Sequence, residues 1–184
     1  MTGPLAVCVY CASSRRTPQR YLDLATEVGT LLAARGHTLV SGGGSVGCMG
    51  AVARAARAGG AHTVGVIPAA LVAREVADTE ADELLVVAGM RERKAAMEDR
   101  ADAFLTLPGG IGTLEEMFEV WTSRSLGLHA KPVVVLDPDG VYADLRAQVE
   151  HLRGLGLVRE EAVGDLVWTG SAPAALDAVG AVAQ

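Results

Sequence analysis

The chain has 184 residues, half of them apolar, and a formal net charge of −6. That length suits one well-buried domain spanning residues 1–184 and is short for two. The acidic balance argues against a nucleic acid polymer as partner, and no stretch nears the ~18 uninterrupted apolar residues of a membrane span.

Residues 5–12 are apolar, but no basic region precedes them and the run is too short for a signal peptide; it reads as a first buried strand. Further strands are expected at 38–40, 63–66, 84–88, 103–107, 133–136 and 166–168. Helical periodicity predicts helices at 19–34, 47–58, 90–100, 114–126, 141–152 and 174–182. Short apolar strands alternating with Ala-rich helices define an α/β fold: a single Rossmann-like, doubly wound parallel sheet of about seven strands with helices on both faces. In such sheets ligands bind beyond the carboxyl ends of the strands, so the loops at 11–18, 41–47, 68–80, 89–93 and 108–113 belong on one rim.

Cys8, Cys11 and Cys48 cannot all pair within one chain, and nothing marks secretion, so a reducing, cytoplasmic setting is expected. Cys8 and Cys11 have C-x-x-C spacing, but Cys8 falls inside a strand and no second ligand pair follows. His37, His62, His129 and His151 are scattered without metal-ligand spacing and read as surface or loop residues. No metal site is expected.

The chemistry concentrates in Pro108-Gly109-Gly110-Ile111-Gly112-Thr113-Leu114-Glu115-Glu116. A strand that re-enters a helix through this loop presents bare backbone N–H groups, a hydroxyl and a helix N-terminus at one point, which suits a phosphate. The glycines would let the backbone turn through positive φ and approach an anion closely. The plainer reading makes Thr113 and Glu116 a capping box, whose side chains satisfy the helix's first amides. A cap does not need three glycines and a proline ahead of it, which favours a ligand site.

A second Gly-rich loop, Ser41 to Gly50, contains Gly42, Gly44 and Gly47 in Gly-x-Gly-x-x-Gly spacing. It follows the second strand, lacks the acidic residue that would hold a ribose about twenty residues on, and so argues against a dinucleotide. Neither loop continues into Lys-Ser or Lys-Thr, which excludes a Walker site. Gly47 and Gly50 suit close helix packing, while Gly42 to Ser45 are expected to line the rim pocket. Arg91, Arg93 and Lys94 cluster at a helix start, where cations oppose the macrodipole unless an anion is near; pairing with acids along the same helix is the alternative. Taking consecutive βα units as neighbours brings this turn beside Thr113 and Glu116.

Arg93-Lys94 followed by Pro108-Gly-Gly-x-Gly-Thr-x-x-Glu116 resembles the LONELY GUY family, the cytokinin riboside 5′-monophosphate phosphoribohydrolases. Tyr10 to Ser14 and Gly42 to Gly50 are similar to the family's first and second loops. The resemblance implies a homodimer, no cofactor, and hydrolysis of the N-glycosidic bond of an adenine nucleotide. It makes Arg93 and Glu116 the catalytic pair. Lys94, Gly109, Gly110, Ile111, Gly112, Thr113, Leu114 and Glu115 would contact the nucleoside 5′-monophosphate, with Ser14, Gly43 and Gly44 from the other loops and Glu75 and Thr122 as further contacts. Chemistry agrees: departure of the base builds positive charge on the sugar, which an ionised Glu116 would stabilise while aligning water. A helix N-terminus keeps such a carboxylate ionised. Arg93 would clamp the phosphate or hold Glu116, and sequence leaves both open. Related proteins include molybdenum-cofactor carriers, so a non-catalytic carrier of a phosphorylated ligand is the alternative. Members labelled lysine decarboxylase would need a Schiff-base lysine, and only Lys94 and Lys131 exist.

On the helix that follows the loop, Leu114, Met117, Phe118 and Trp121 read as a core stripe, leaving Val120 for a dimer face.

Overall fold

The computed structural model describes residues 3–75 and 77–181. Its strands are β1 (Ala6–Tyr10), β2 (Thr38–Ser41), β3 (Thr63–Pro68), β4 (Glu83–Val87), β5 (Ala103–Thr106), β6 (Val133–Leu136) and β7 (Leu166–Thr169). Its helices are α1 (Gln19–Ala34), α2 (Gly47–Ala58), α3 (Val72–Glu75), α4 (Met90–Arg100), α5 (Ile111–Ser125), α6 (Ala143–Gly154), α7 (Glu160–Gly164) and α8 (Ala172–Ala181), with a 3-10 turn at Ala69–Leu71. The strands form one sheet in the order β4-β3-β2-β1-β5-β6-β7, every pairing parallel.

The β1 side chains show how the sheet is buried on both faces. Successive residues point to opposite sides: Val7 and Val9 join α1, α2 and α8 in one core, while Cys8 and Tyr10 join α4, α5 and α6 in the other. β5 repeats the pattern, with Leu105 on the first side and Phe104 on the second. This two-sided burial is why the strands carry continuous apolar runs. Close approach of α1 to α2 depends on Gly29, where an added Cβ would lie 2.4 Å from the Val52 carbonyl oxygen.

The strand order reverses between β1 and β5, which pair directly with Tyr10 opposite Thr106. Consecutive units are not neighbours at this point: β4 is an edge strand, and β3, β2 and β1 separate it from β5. The rim still unites the loops after β4 and β5, because α4 packs across β3, β2 and β1 as the chain returns.

Several local expectations are corrected. α5 begins at Ile111 rather than Leu114, with Gly110 extended before it and no side chain capping it. Thr113 therefore sits inside the first turn, and the Thr113–Glu116 capping box does not form. α6 begins at Ala143 rather than 141, because the Asp137 carboxylate accepts the Val141 and Tyr142 amides at 2.7 and 3.0 Å and holds them in a turn. α3 and α7, with four and five residues, are too short for their periodicity to register in sequence. His37 is buried, with its Nδ1 accepting the Leu5 amide at 3.1 Å, so it is no surface histidine. Val120 is fully buried whereas Phe118 is exposed, so the apolar excess on α5 lies at Phe118.

Candidate active site

The segments leaving β1 and β5 face each other across the point where strand order reverses. The Leu107 amide donates to the Tyr10 carbonyl at 2.9 Å and the Ala12 amide to the Pro108 carbonyl at 3.4 Å, tying the two loops together. Gly110 and Gly112 line the resulting cleft of about 310 Å³ and have nothing near where a Cβ would stand. Neither these glycines nor Gly109 has positive φ, so the loop uses them for space rather than for left-handed backbone. At Gly109 that space is filled by Thr113, whose Oγ1 would be 2.1 Å from an added Cβ. The first amides of a helix have no acceptor within it; in α5 they belong to Ile111, Gly112 and Thr113, and with the macrodipole they favour an anion.

Arg93 lies one turn into α4 and is buried. Its Nη2 donates to the Gly42 carbonyl at 2.9 Å, and Nη1 is 3.8 Å from the Met90 sulfur. A Cβ on Gly42 would stand 1.8 Å from Nη2, so this glycine exists to admit the guanidinium. The rest of the second loop is used internally. Gly43 has φ of +73° and packs against β3, its carbonyl accepting the Asp78 amide at 2.8 Å. Gly44 donates to the Met49 sulfur at 3.0 Å and bridges to Ala77. Gly47, with φ of +62°, lies so close to the segment leaving β1 that a Cβ would be 2.8 Å from the Ala12 carbonyl oxygen. Gly43 and Gly44 are thus placed behind the cleft as its support, not in its lining.

Glu116, partly buried in the second turn of α5, lines the cleft with Arg93, Ser14, Thr113 and Glu115. Burial raises the Tyr10 and Cys11 side-chain pKa values well above the usual range, and the Glu116 charge adds to both. Lys94 turns away from the lining. Its Nζ meets the Glu115 carboxylate and, at 2.8 Å, that of Glu119, so α4 is braced against α5 rather than paired along its own length. Those two hydrogen bonds, Glu115 first, raise the Lys94 pKa.

The remaining expected contacts are dispersed. Ile111 is exposed at the helix tip, Leu114 turns toward the core, and Thr122 borders a separate apolar groove with Phe118 and Trp121. The side chain of Glu75, at the end of α3, lies outside the described residues. Sequence reading missed Leu71 and Met90, which with Met49 give the cleft its apolar wall. Their loops belong to the expected rim, but an apolar residue near a core carries no signal of ligand contact.

A parallel sheet with a glycine-rich loop, a buried guanidinium and a carboxylate gathered in a cleft where its strand order reverses defines a Rossmann-like α/β protein. A family model described as "Possible lysine decarboxylase" matches residues 49–179. Similar proteins include the cytokinin riboside 5′-monophosphate phosphoribohydrolase of Mycobacterium tuberculosis, 55% identical over 91% of this chain and 89% of that one. The corresponding Oryza sativa subsp. japonica protein, LOG, is 45% identical over 94% of this chain and 70% of its own. The chain belongs to this family, the LONELY GUY family that its motifs resemble. Among solved structures, the molybdenum cofactor binding protein of Rippkaea orientalis matches with a TM-score of 0.74 at 18% identity, covering 100% of this chain and 99% of its own. The molybdenum cofactor carrier protein of Chlamydomonas reinhardtii matches at 0.71 and 22%, covering 96% and 95%. At such identities the likeness establishes the fold alone. Among the described residues no helix is long and apolar enough to cross a membrane.

Proposed function

We propose that the protein hydrolyses the N-glycosidic bond of adenosine or N6-modified adenosine 5′-monophosphates, releasing free adenine or cytokinin base and ribose 5-phosphate. The observation that carries this reading is that Arg93 and Glu116, on different helices, line one cleft beside the N-terminus of α5. The substrate phosphate takes the amides at that N-terminus. The bond from C1′ to the base breaks, water adds to C1′, and the base leaves with a proton. Glu116 stabilises the positive charge that develops on the sugar and receives or aligns the proton of the attacking water. Arg93 supplies a fixed positive charge, and its guanidinium suits an oxyanion better than an ammonium would.

A carrier of molybdenum cofactor would need the anion loop but no carboxylate on the cleft wall, so Glu116 favours the hydrolase. A lysine-based decarboxylase fits less well. Lys94 is held by two carboxylates, and Lys131 donates its Nζ to the Glu98 carbonyl at 2.7 Å. The acting unit is a cytoplasmic homodimer of single-domain chains. What supports the association of two copies is an apolar groove bordered by Phe118, Trp121, Leu152 and Leu157.

The test is chromatographic release of base from AMP, isopentenyl-AMP and their unphosphorylated ribosides. Release is expected from the monophosphates alone, falling by roughly two or more orders of magnitude in Glu116→Gln and also falling in Arg93→Ala. A folded wild-type protein that frees no base from any of them refutes the hydrolase.

A further inference from the structure

Tyr142 lies outside the cleft lining, in the loop between β6 and α6, yet its hydroxyl reaches the anion loop. It donates to the Leu107 carbonyl at 2.9 Å and accepts the Gly109 amide at 2.8 Å. Those groups flank Pro108, which has no N–H of its own, so one hydroxyl spans the turn by which the chain leaves β5. The Gly109 amide is consequently engaged by Tyr142, and the amides offered to a ligand come after it.

The tyrosine is itself held from several directions. It is buried at 4% exposure, its ring meets Trp168 of β7 edge-on at 6.5 Å, and its own amide is bound by Asp137. Burial pushes its hydroxyl up to about 12, so it stays protonated and can donate and accept at once. The opposite side of the turn is held by the Ala12 amide on the Pro108 carbonyl. A loop secured from both flanks presents its helix amides in one orientation, as anion binding by fixed dipoles requires.

We propose that Tyr142 is a positioning residue for the anion site, holding the Leu107–Gly109 turn so that the first amides of α5 face the phosphate. Only the identity of that anion, the phosphate of a ribose ester, rests on the hydrolase reading. Asp137 acts one step further out, by fixing the backbone of Tyr142.

The experiment is calorimetric titration of wild type, Tyr142→Phe and Asp137→Asn with ribose 5-phosphate and with adenine, the same preparations being assayed for base release from AMP. Tyr142→Phe keeps the ring but removes the bridge. It is expected to bind ribose 5-phosphate about tenfold more weakly, with adenine binding and circular dichroism unchanged. Asp137→Asn should shift in the same direction by less. Equal affinity of wild type and Tyr142→Phe for ribose 5-phosphate, an equal loss for both ligands, or no binding of ribose 5-phosphate by wild type overturns the proposal. Wild type that binds ribose 5-phosphate but releases no base removes the hydrolase reading, while the comparison of affinities still decides the role of Tyr142. Should Tyr142→Phe fail to fold, Asp137→Asn decides by the same criterion.

Discussion

An added methyl group at Gly42 would stand 1.8 Å from the Arg93 guanidinium, while at Gly109 it would stand 2.1 Å from Thr113 Oγ1. The two clashes differ in what can yield. The guanidinium ends a long side chain and can swing aside, whereas Thr113 is short, buried and fixed within a helix. Gly42→Ala should therefore lower kcat/KM by about tenfold or more, because the displaced group is the arginine of the proposed site, and lower the melting temperature as well, because the buried guanidinium loses the Gly42 carbonyl. Gly109→Ala should instead cost about 1–3 kcal/mol of stability, read as a lower urea midpoint. His37 makes a pH prediction at the same scale. Burial, with Arg35 adding to it, lowers its pKa from 6.5, and its neutral Nδ1 accepts the Leu5 amide. Below that ordinary value the unfolded chain takes up a proton that the folded chain resists. The sign follows: stability is held above about pH 6.5 and lost as pH falls toward the depressed folded value. Melting temperatures from pH 7.5 to 5 should decline less steeply in His37→Asn than in wild type.

The excursion from β3 to β4 is fastened in part by one nearly buried ion pair. Its 3-10 turn and α3 carry Leu71 to the cleft, and it is then fastened at Asp78. Arg57 of α2 donates both terminal nitrogens to that carboxylate at 2.8 and 3.0 Å, and the Asp78 side chain is only 8% exposed. Removing Asp78 leaves the part-buried Arg57 with the exposed Glu80 carboxylate at 3.6 Å as a weaker partner, so Asp78→Ala should destabilise the protein by about 2–4 kcal/mol. Adding Arg57→Ala should cost little more, which a double-mutant cycle on urea midpoints would read as strong coupling. Helix α1 presents the converse case. Ala is the better helix former at position 29 by about 1 kcal/mol, yet the Val52 backbone lies 2.4 Å from where its methyl would go. Gly29→Ala should therefore lower the urea midpoint, packing outweighing propensity.

At the scale of the molecule, the proposed dimer predicts that a charge in the apolar groove separates the subunits. Leu157 is 72% exposed there, and Leu157→Glu should sediment as a monomer where wild type sediments as a dimer. The alternation of β-rich and Ala-rich segments made the α/β class, the parallel sheet and most elements readable from the chain. The bounds of α1, α2 and β6 match the pattern of apolar residues, because it reports which residues leave water; α4 also matches in its bounds, although only its Arg93 and Met97 are buried. The loop from Pro108 to Glu116 was legible for a related reason: glycines, a threonine and a carboxylate at that spacing have few purely local uses. Other features depended on assembly. The strand order, with β1 between β2 and β5, is a choice among pairings that no single segment encodes. It alone brings Arg93 to the Gly42 carbonyl and Tyr142 to the Leu107–Gly109 turn. It also sets where Gly43 packs against β3 and brings Thr122 beside the apolar groove. Periodicity reports burial along one segment, whereas these roles arise from contacts between segments far apart in the chain.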